Sequence, residues 1–292
     1  MRVMRWLIVL GVIGAGAFWV LTRPNPLTED AVAGLTGNTE KGELVFWAAG
    51  CVSCHMAPGA KDDARLVLSG GQRFPSDFGT FIAPNISQDP EQGIGAWTLL
   101  DLANAITRGV SPEGEHYYPA LPYASYAKME MQDVADLYAF MKTLPADATP
   151  SQPHELRFPF SRREAIGVWK LLFLTNDWIL PGNLPPTAAR GRYIAEAMAH
   201  CGECHTPRNL LGGLDTARWL GGAPNPSGEG RIPNITPTRL GWTAGDIVQY
   251  LTTGFTPDFD VVGGQMAHVV DNLARLPETD RLALAEYILA VP

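Results

Sequence analysis

The chain has 292 residues, of which 46% are hydrophobic and 18% charged, enough apolar material for one or two packed cores and too much for a disordered polymer. Lysine and arginine number 22 against 30 aspartates and glutamates, a formal net charge of −8 that argues against a basic nucleic-acid binder. Thirty glycines and 24 prolines point to short helices joined by long, punctuated loops.

Arg2 and Arg5 precede an uncharged run from Trp6 to Leu21, which Arg23, Pro24 and Pro26 close. A basic start followed by an apolar stretch is the pattern of an export signal. As a helix the run spans about 24 Å, slightly less than the roughly 30 Å hydrocarbon core, with Trp6 and Trp19 placed for the two interfaces. Ala15-Gly16-Ala17 resembles a cleavage site, yet Phe18 to Leu21 carry the apolar run past it. Residues 1–23 are therefore expected to be a signal sequence retained as a transmembrane anchor; a cleaved signal is the competing reading. Both place the arginines in the cytoplasm and the remainder of the chain on the exported side.

All four cysteines fall in two identical frames, Cys51-Val-Ser-Cys54-His55 and Cys201-Gly-Glu-Cys204-His205. In this composition C-x-x-C-H arises by chance roughly once in a thousand chains, and the pattern reads as covalent attachment of haem c. On a helix, positions i, i+3 and i+4 share a face. Cys51 and Cys54 can therefore bond the two vinyl groups of one haem while His55 lies under the iron, and Cys201, Cys204 and His205 do the same for a second. Zinc held by the two C-x-x-C pairs would leave both histidines unexplained, and a thioredoxin-like site would need a βαβ context. The expected cofactors are two covalently bound haems c, each with its iron. Attachment takes place on the exported side, in agreement with the N-terminus.

The halves repeat. Trp97-Thr-Leu-Leu-Asp101 through Gly109 to Pro112 aligns without gaps to Trp242-Thr-Ala-Gly-Asp246 through Gly254 to Pro257. Pro84-Asn85-Ile86-Ser87 matches Pro233-Asn234-Ile235-Thr236, and Asp133 to Pro145 aligns with Asp280 to Pro292. Helices are expected over 39–49 and 188–200, leading into each cysteine motif; over 101–107 and 246–252, with Gly109 and Gly254 as C-caps; and over 133–144 and 280–290, each stopped by proline. Strand alternation is nearly absent. The organisation read from this is an anchor at 1–23, all-α domains at 30–150 and 187–292, and a strap at 151–186 without a counterpart. The strap carries Arg162, Arg163, Trp169, Phe173 and Trp178; Lys170 and Asp177 argue against a second membrane span. It is read as packing across the domains, with a docking surface for a partner or the bilayer interface as the alternative.

The sixth iron ligand separates carrier from catalyst, since a thioether closes the site and raises its potential whereas an open site invites ligand chemistry. In the second half Met266, in the loop Gly263-Gly264-Gln265-Met266, is the candidate, and His268 is read as an ordinary loop histidine. In the first half the repeat carries Met266 onto Pro119. Met129 is the leading candidate there, with Met131, His116 and an open site as alternatives. Met141 lies near the end of its helix, and Met56 is too close to His55. Trp97 and Trp242 are read as core or haem-wall aromatics. Asn85 and Asn234 are read as turn-fixing residues, or as propionate contacts. Arg208 is a candidate propionate partner or a solvated surface side chain.

Both halves resemble class I cytochrome c domains, and the whole chain from about residue 39 resembles the membrane-bound multihaem cytochrome c subunits of bacterial alcohol, gluconate and aldehyde dehydrogenases. The resemblance is carried by Ala83-Pro-Asn-Ile-Ser, Gly93-Ile-Gly-Ala-Trp97, Arg108-Gly-Val-Ser-Pro112, His116-Tyr-Tyr-Pro-Ala-Leu-Pro-Tyr-Ala-Ser-Tyr-Ala-Lys-Met129, Cys201-Gly-Glu-Cys-His-Thr-Pro-Arg-Asn-Leu210 and Gly263-Gly-Gln-Met266. It implies an all-α fold of two tandem class I domains, haem attachment at Cys51, Cys54, His55, Cys201, Cys204 and His205, and axial methionines at Met129 and Met266. Two departures stand out: two haem motifs replace the three of the alcohol dehydrogenase subunits, and Leu121 stands where many relatives carry Met. The implied function is electron transfer, without substrate chemistry of its own, from a periplasmic or membrane-bound dehydrogenase toward quinone, another cytochrome or the terminal oxidase. The expected location is the bacterial inner membrane, with the haem domains in the periplasm. The alternative is a dihaem redox enzyme, a peroxidase or a thiosulfate dehydrogenase-like protein. The first needs an open iron and the second, by resemblance, a cysteine ligand that this chain lacks.

Overall fold

A computed structural model describes residues 2–226, 228 and 230–292. The chain opens with helix α1 (Arg2–Thr22), whose 21 residues extend about 32 Å. Its side chains are exposed up to Thr22, and its mean hydropathy reaches 1.9, so by length and composition it is able to cross a membrane.

The first half follows. Helix α2 (Thr39–Ala48) is capped by the Asn38 side chain, which accepts from the Lys41 amide, and leads into the five-residue attachment helix α3 (Cys51–His55). Strands β1 (Arg73–Ser76) and β2 (Gly79–Ile82) form an antiparallel hairpin. Helix α4 (Leu99–Ala103) starts with a reciprocal capping box between Thr98 and Asp101 and continues as a π-helical turn, 104–108, that ends at Gly109 with φ 59°. Helices α5 (Tyr123–Tyr126) and α6 (Met131–Met141) complete this half. Next come β3 (Glu155–Leu156), which pairs antiparallel with β2, and α7 (Ala165–Phe173).

The second half repeats the series. Helix α8 (Pro186–Tyr193) runs on as a π-helical turn, 194–198, into α9 (Gly202–His205). The short pair β4 (Ala223–Pro224) and β5 (Arg231–Ile232) is followed by α10 (Pro237–Leu240). Helix α11 (Ala244–Thr253) has the same capping box, Thr243 with Asp246, and ends at Gly254 with φ 76°. Helices α12 (Gln265–Leu273) and α13 (Glu278–Ala290) close the chain.

Two sequence expectations change. The hairpin and its third strand replace irregular loop; segments of two to four residues are too short to display alternation. Met266 lies in the first turn of α12 rather than in a loop. Met266, Val269, Val270 and Leu273 follow a helical period, but Gly263-Gly264 in front of them reads as loop.

Each half is held by one close helix crossing, α2 on α6 and α8 on α13. A Cβ at Gly42 would stand 1.9 Å from the Asp136 carbonyl oxygen and 2.9 Å from the Phe140 Cβ. At Gly191 the distances are 1.8 Å to the Ala283 oxygen and 2.7 Å to the Tyr287 Cβ. Backbone meets backbone at both crossings, and large side chains fill the flanks: Phe46, Val134 and Leu137 in one half, Ile194, Leu284 and Tyr287 in the other. These side chains belong to one apolar cluster that spans both halves. Gly42→Ala and Gly191→Ala are each expected to lower the unfolding free energy by about 2–3 kcal/mol, the upper part of the overpacking range, in equilibrium urea denaturation. A loss below about 0.5 kcal/mol, the scale of a neutral surface change, would show that the helices do not touch there.

Candidate functional site

The two attachment motifs sit on short helices that enter from a longer one. The residue before each first cysteine adopts a left-handed backbone, Gly50 at φ 67° and His200 at φ 43°. This bends the chain so that α3 and α9 start new helices. The Nδ1–H of His55 donates to the Pro84 carbonyl at 2.8 Å, and that of His205 to the Pro233 carbonyl at 2.9 Å. A carbonyl only accepts, so the proton is on Nδ1 and Nε2 keeps its lone pair for a metal. Burial holds both imidazoles below the ordinary histidine pKa, partly offset by these bonds, so they are neutral at pH 7.

Matching loops deliver the two carbonyls. The Gly70 amide donates to the His55 carbonyl and the Gly222 amide to that of His205, both at 2.7 Å. The Ile86 amide reaches the Leu68 carbonyl and the Ile235 amide that of Leu220, both at 3.0 Å. Leu68 and Leu220 are fully buried. Asn85 and Asn234 fix the turns: their side-chain oxygens accept from the amides of Ser87 and Thr236, each at 2.8 Å. Asn85 also donates to the carbonyls of Asp147 and Thr149, which ties this turn to the segment leading into the strap. The Leu-x-Gly pairs were present in the sequence, but unequal spacing to the Pro-Asn-Ile segments hid them from a gapless repeat.

The cysteine thiols are neutral. Burial pushes Cys51 and Cys201 up to about 12, and it pushes Cys54 up to about 11 with nearby Cys204 adding to the rise. Among the described residues no group of three His, Cys, Asp or Glu side chains is arranged to hold a metal ion. Paired neutral thiols beside an imidazole with one pinned nitrogen are the donor set that covalent haem requires.

The motifs adjoin each other. Asn272 on α12 donates its side-chain amide to Ser53 Oγ at 2.8 Å, inside the first motif. The Ala49 carbonyl accepts from Tyr126 Oη at 2.7 Å, and the rings of Tyr126 and His200 meet edge to face at 5.7 Å. Sequence reading missed His200 and Asn272, because each acts across the halves and carries no local signal.

Met129 is 5% exposed, between α5 and α6, in the same apolar cluster as Val52 of the first motif. Met266 is partly buried against that cluster. Met131 opens α6 and packs partly against it. His116 has partners elsewhere: its Nε2–H donates to the Thr22 carbonyl at 2.8 Å and its Nδ1 accepts from Lys170 Nζ at 3.0 Å. Arg208 pairs with Glu203 and donates to the Gly212 carbonyl, so that side chain is committed within the protein. Trp97 and Trp242 pack, partly buried, against the core.

A chain with two such centres is a c-type haem protein. Residues 39–145 match the cytochrome c family model. The chain is 57% identical over 281 residues to a "Diheme cytochrome c-type" protein of Cereibacter sphaeroides, covering 96% of this chain and 95% of that one. It is 35% identical over 260 residues to the fructose dehydrogenase cytochrome subunit of Gluconobacter japonicus, 86% of this chain and 52% of the relative. It is 30% identical over 262 residues to the gluconate 2-dehydrogenase cytochrome c subunit of Pantoea cypripedii, 85% and 58% respectively. The chain thus spans about half the length of these dehydrogenase subunits. It belongs to the dihaem c-type cytochromes and binds two covalently attached haems c.

Lys170 carries a pH signature. It donates to the carbonyls of Arg108 and Gly109 as well as to His116, and burial pulls its pKa down to about 7. Free lysine holds its proton to about 10.4, so between those values the unfolded chain binds the extra proton and stability rises with pH. Denaturation midpoints of wild type and Lys170→Met should therefore differ most in pH slope between about pH 7 and 9, with wild type the steeper. Parallel profiles would show an ordinary lysine.

Proposed function

We propose that this protein is a membrane-anchored dihaem electron carrier that passes electrons from a periplasmic or membrane-bound dehydrogenase toward quinone, another cytochrome or the terminal oxidase chain. Two tandem class I cytochrome c domains, 30–150 and 187–292, each hold one haem; 151–186 straps them together; and residues 1–23 cross the inner membrane with the domains in the periplasm. The repeated hydrogen bond from an attachment histidine to a proline carbonyl carries this reading.

Cys51, Cys54, Cys201 and Cys204 would hold the two haems covalently through their sulfurs. Nε2 of His55 and of His205, together with the thioether sulfurs of Met129 and Met266, would be the protein's ligands to the two irons. When bound, haem c supplies a one-electron Fe(III)/Fe(II) couple. The Pro84 and Pro233 carbonyls orient the imidazoles and make them better donors. The apolar surroundings of Met129 exclude water from that side. Closed sites of this kind leave no position for a substrate, which supports transfer rather than catalysis. The adjoining motifs offer a route between the two centres, and the names of the relatives support a dehydrogenase as the donor.

The test is carbon monoxide binding to the dithionite-reduced protein. Wild type should show no spectral change, whereas Met129→Ala and Met266→Ala should each open about half of the haem. A carbon monoxide response in wild type would mean that one site is open and would move the protein toward catalysis. An unresponsive Met129→Ala variant would reassign that ligand.

A further inference from the structure

We infer that α7, the turn before it and the loop behind the second attachment helix form a membrane-contact face that seats the haem-bearing body on the headgroup–acyl boundary of an anionic bilayer. The inference rests on the reading of α1 as a transmembrane helix.

The height of α7 is set by its contact with the end of α1. Gly167 lies directly on Thr22: a Cβ there would stand 2.0 Å from the Thr22 carbonyl oxygen. Helix α1 is about as long as the hydrocarbon core is thick, so Thr22 falls at the boundary. One turn earlier Trp19 lies under the Arg23 guanidinium, 6.0 Å from ring centroid to charge, an aromatic–basic pair suited to the interface. His116 and Lys170 lock this corner, bridging the Thr22 carbonyl, the first half and α7. The strap therefore has no freedom to lift away from the bilayer surface without breaking those bonds.

The side chains then divide by face. Trp169 and Phe173 turn inward, Trp169 onto Tyr123 and Phe173 against Gly213. Leu171 and Leu172 turn outward and are 57% and 59% exposed. In the turn before α7 Phe158 is 80% exposed and Phe160 packs on Phe78, which touches the 208–213 loop at Gly212. That loop presents Leu210, fully exposed, and Leu211. Six large apolar side chains exposed on α7, the turn before it and the 208–213 loop are unusual for a protein that meets only water. Exposed Arg157 and Arg162 flank them, in a chain whose net charge is −8. Arginines at the edge of an apolar patch suit an anionic lipid surface, and exposed Glu164 is the acidic residue among them.

The test uses the full-length holoprotein, whose native cysteines are consumed as thioethers, with one added cysteine at a time: Leu172→Cys, Phe160→Cys, Val12→Cys in α1, and exposed Glu278→Cys outside the patch. Each variant is placed in nanodiscs containing phosphatidylglycerol, and its labelling rate with a charged, bilayer-impermeant maleimide is followed by mass shift, with the haem spectrum confirming the fold. Cysteines at 172 and 160 should react at least ten-fold more slowly than the one at 278. If they react as fast as 278 while position 12 stays protected, the face meets water or a protein partner; the inference fails and the anchor stands. If position 12 also reacts at the aqueous rate, the anchor fails and the inference falls with it.

Discussion

A histidine serves an iron centre when one ring nitrogen is protonated and pinned and the other is free. In both halves of this chain a backbone carbonyl imposes that condition. Proline supplies the carbonyl at Pro84 and at Pro233, and a proline has no amide hydrogen of its own to satisfy. The loops must hold that carbonyl within 2.8–2.9 Å of Nδ1. Buried Leu68 and Leu220, the amides of Gly70 and Gly222, and the side chains of Asn85 and Asn234 all serve this placement. Without it the imidazole could choose either tautomer and rotate, and the donor nitrogen would not be defined.

The loops are positioned in turn by the helix crossings. Gly42 and Gly191 allow α2 and α8 to lie backbone to backbone on α6 and α13, and each crossing fixes the exit from which an attachment helix starts. Because the apolar cluster is continuous across the halves, the two exits are also fixed relative to each other. The contacts Asn272–Ser53 and Tyr126–His200 follow from that packing and bring Cys54 near Cys204.

What the sequence discloses and what it hides divide along the same line. Cysteine spacing, the Thr98 and Thr243 caps and the terminal glycines act within a few residues, so their signals are local and repeat in both halves. Met266 was visible, but its helix was not, because two glycines precede it. His116 stood in the expected loop, yet its real partners, Thr22 and Lys170, come from distant segments. The β1–β2–β3 ribbon was hidden because its strands are too short for alternation and the third comes from the strap. His200 and Asn272 have meaning only once the halves are packed.

The strap shows how one segment can fix several bodies at once. Its early part is bound to the first half and to α1 through Lys170 and Gly167. Its later part is bound to the second half: buried Glu196 accepts from the Ile179 and Leu180 amides and from Tyr287 Oη, and Arg192 donates to the carbonyls of Leu180 and Gly182. A flexible tether would let the haem-bearing body tumble relative to α1. Here the N-terminal helix, both halves and the exposed apolar face are joined through polar bonds at the two ends of one short segment. The orientation of both centres relative to α1 is therefore a property of the fold itself, and a partner meets the two centres in one fixed presentation.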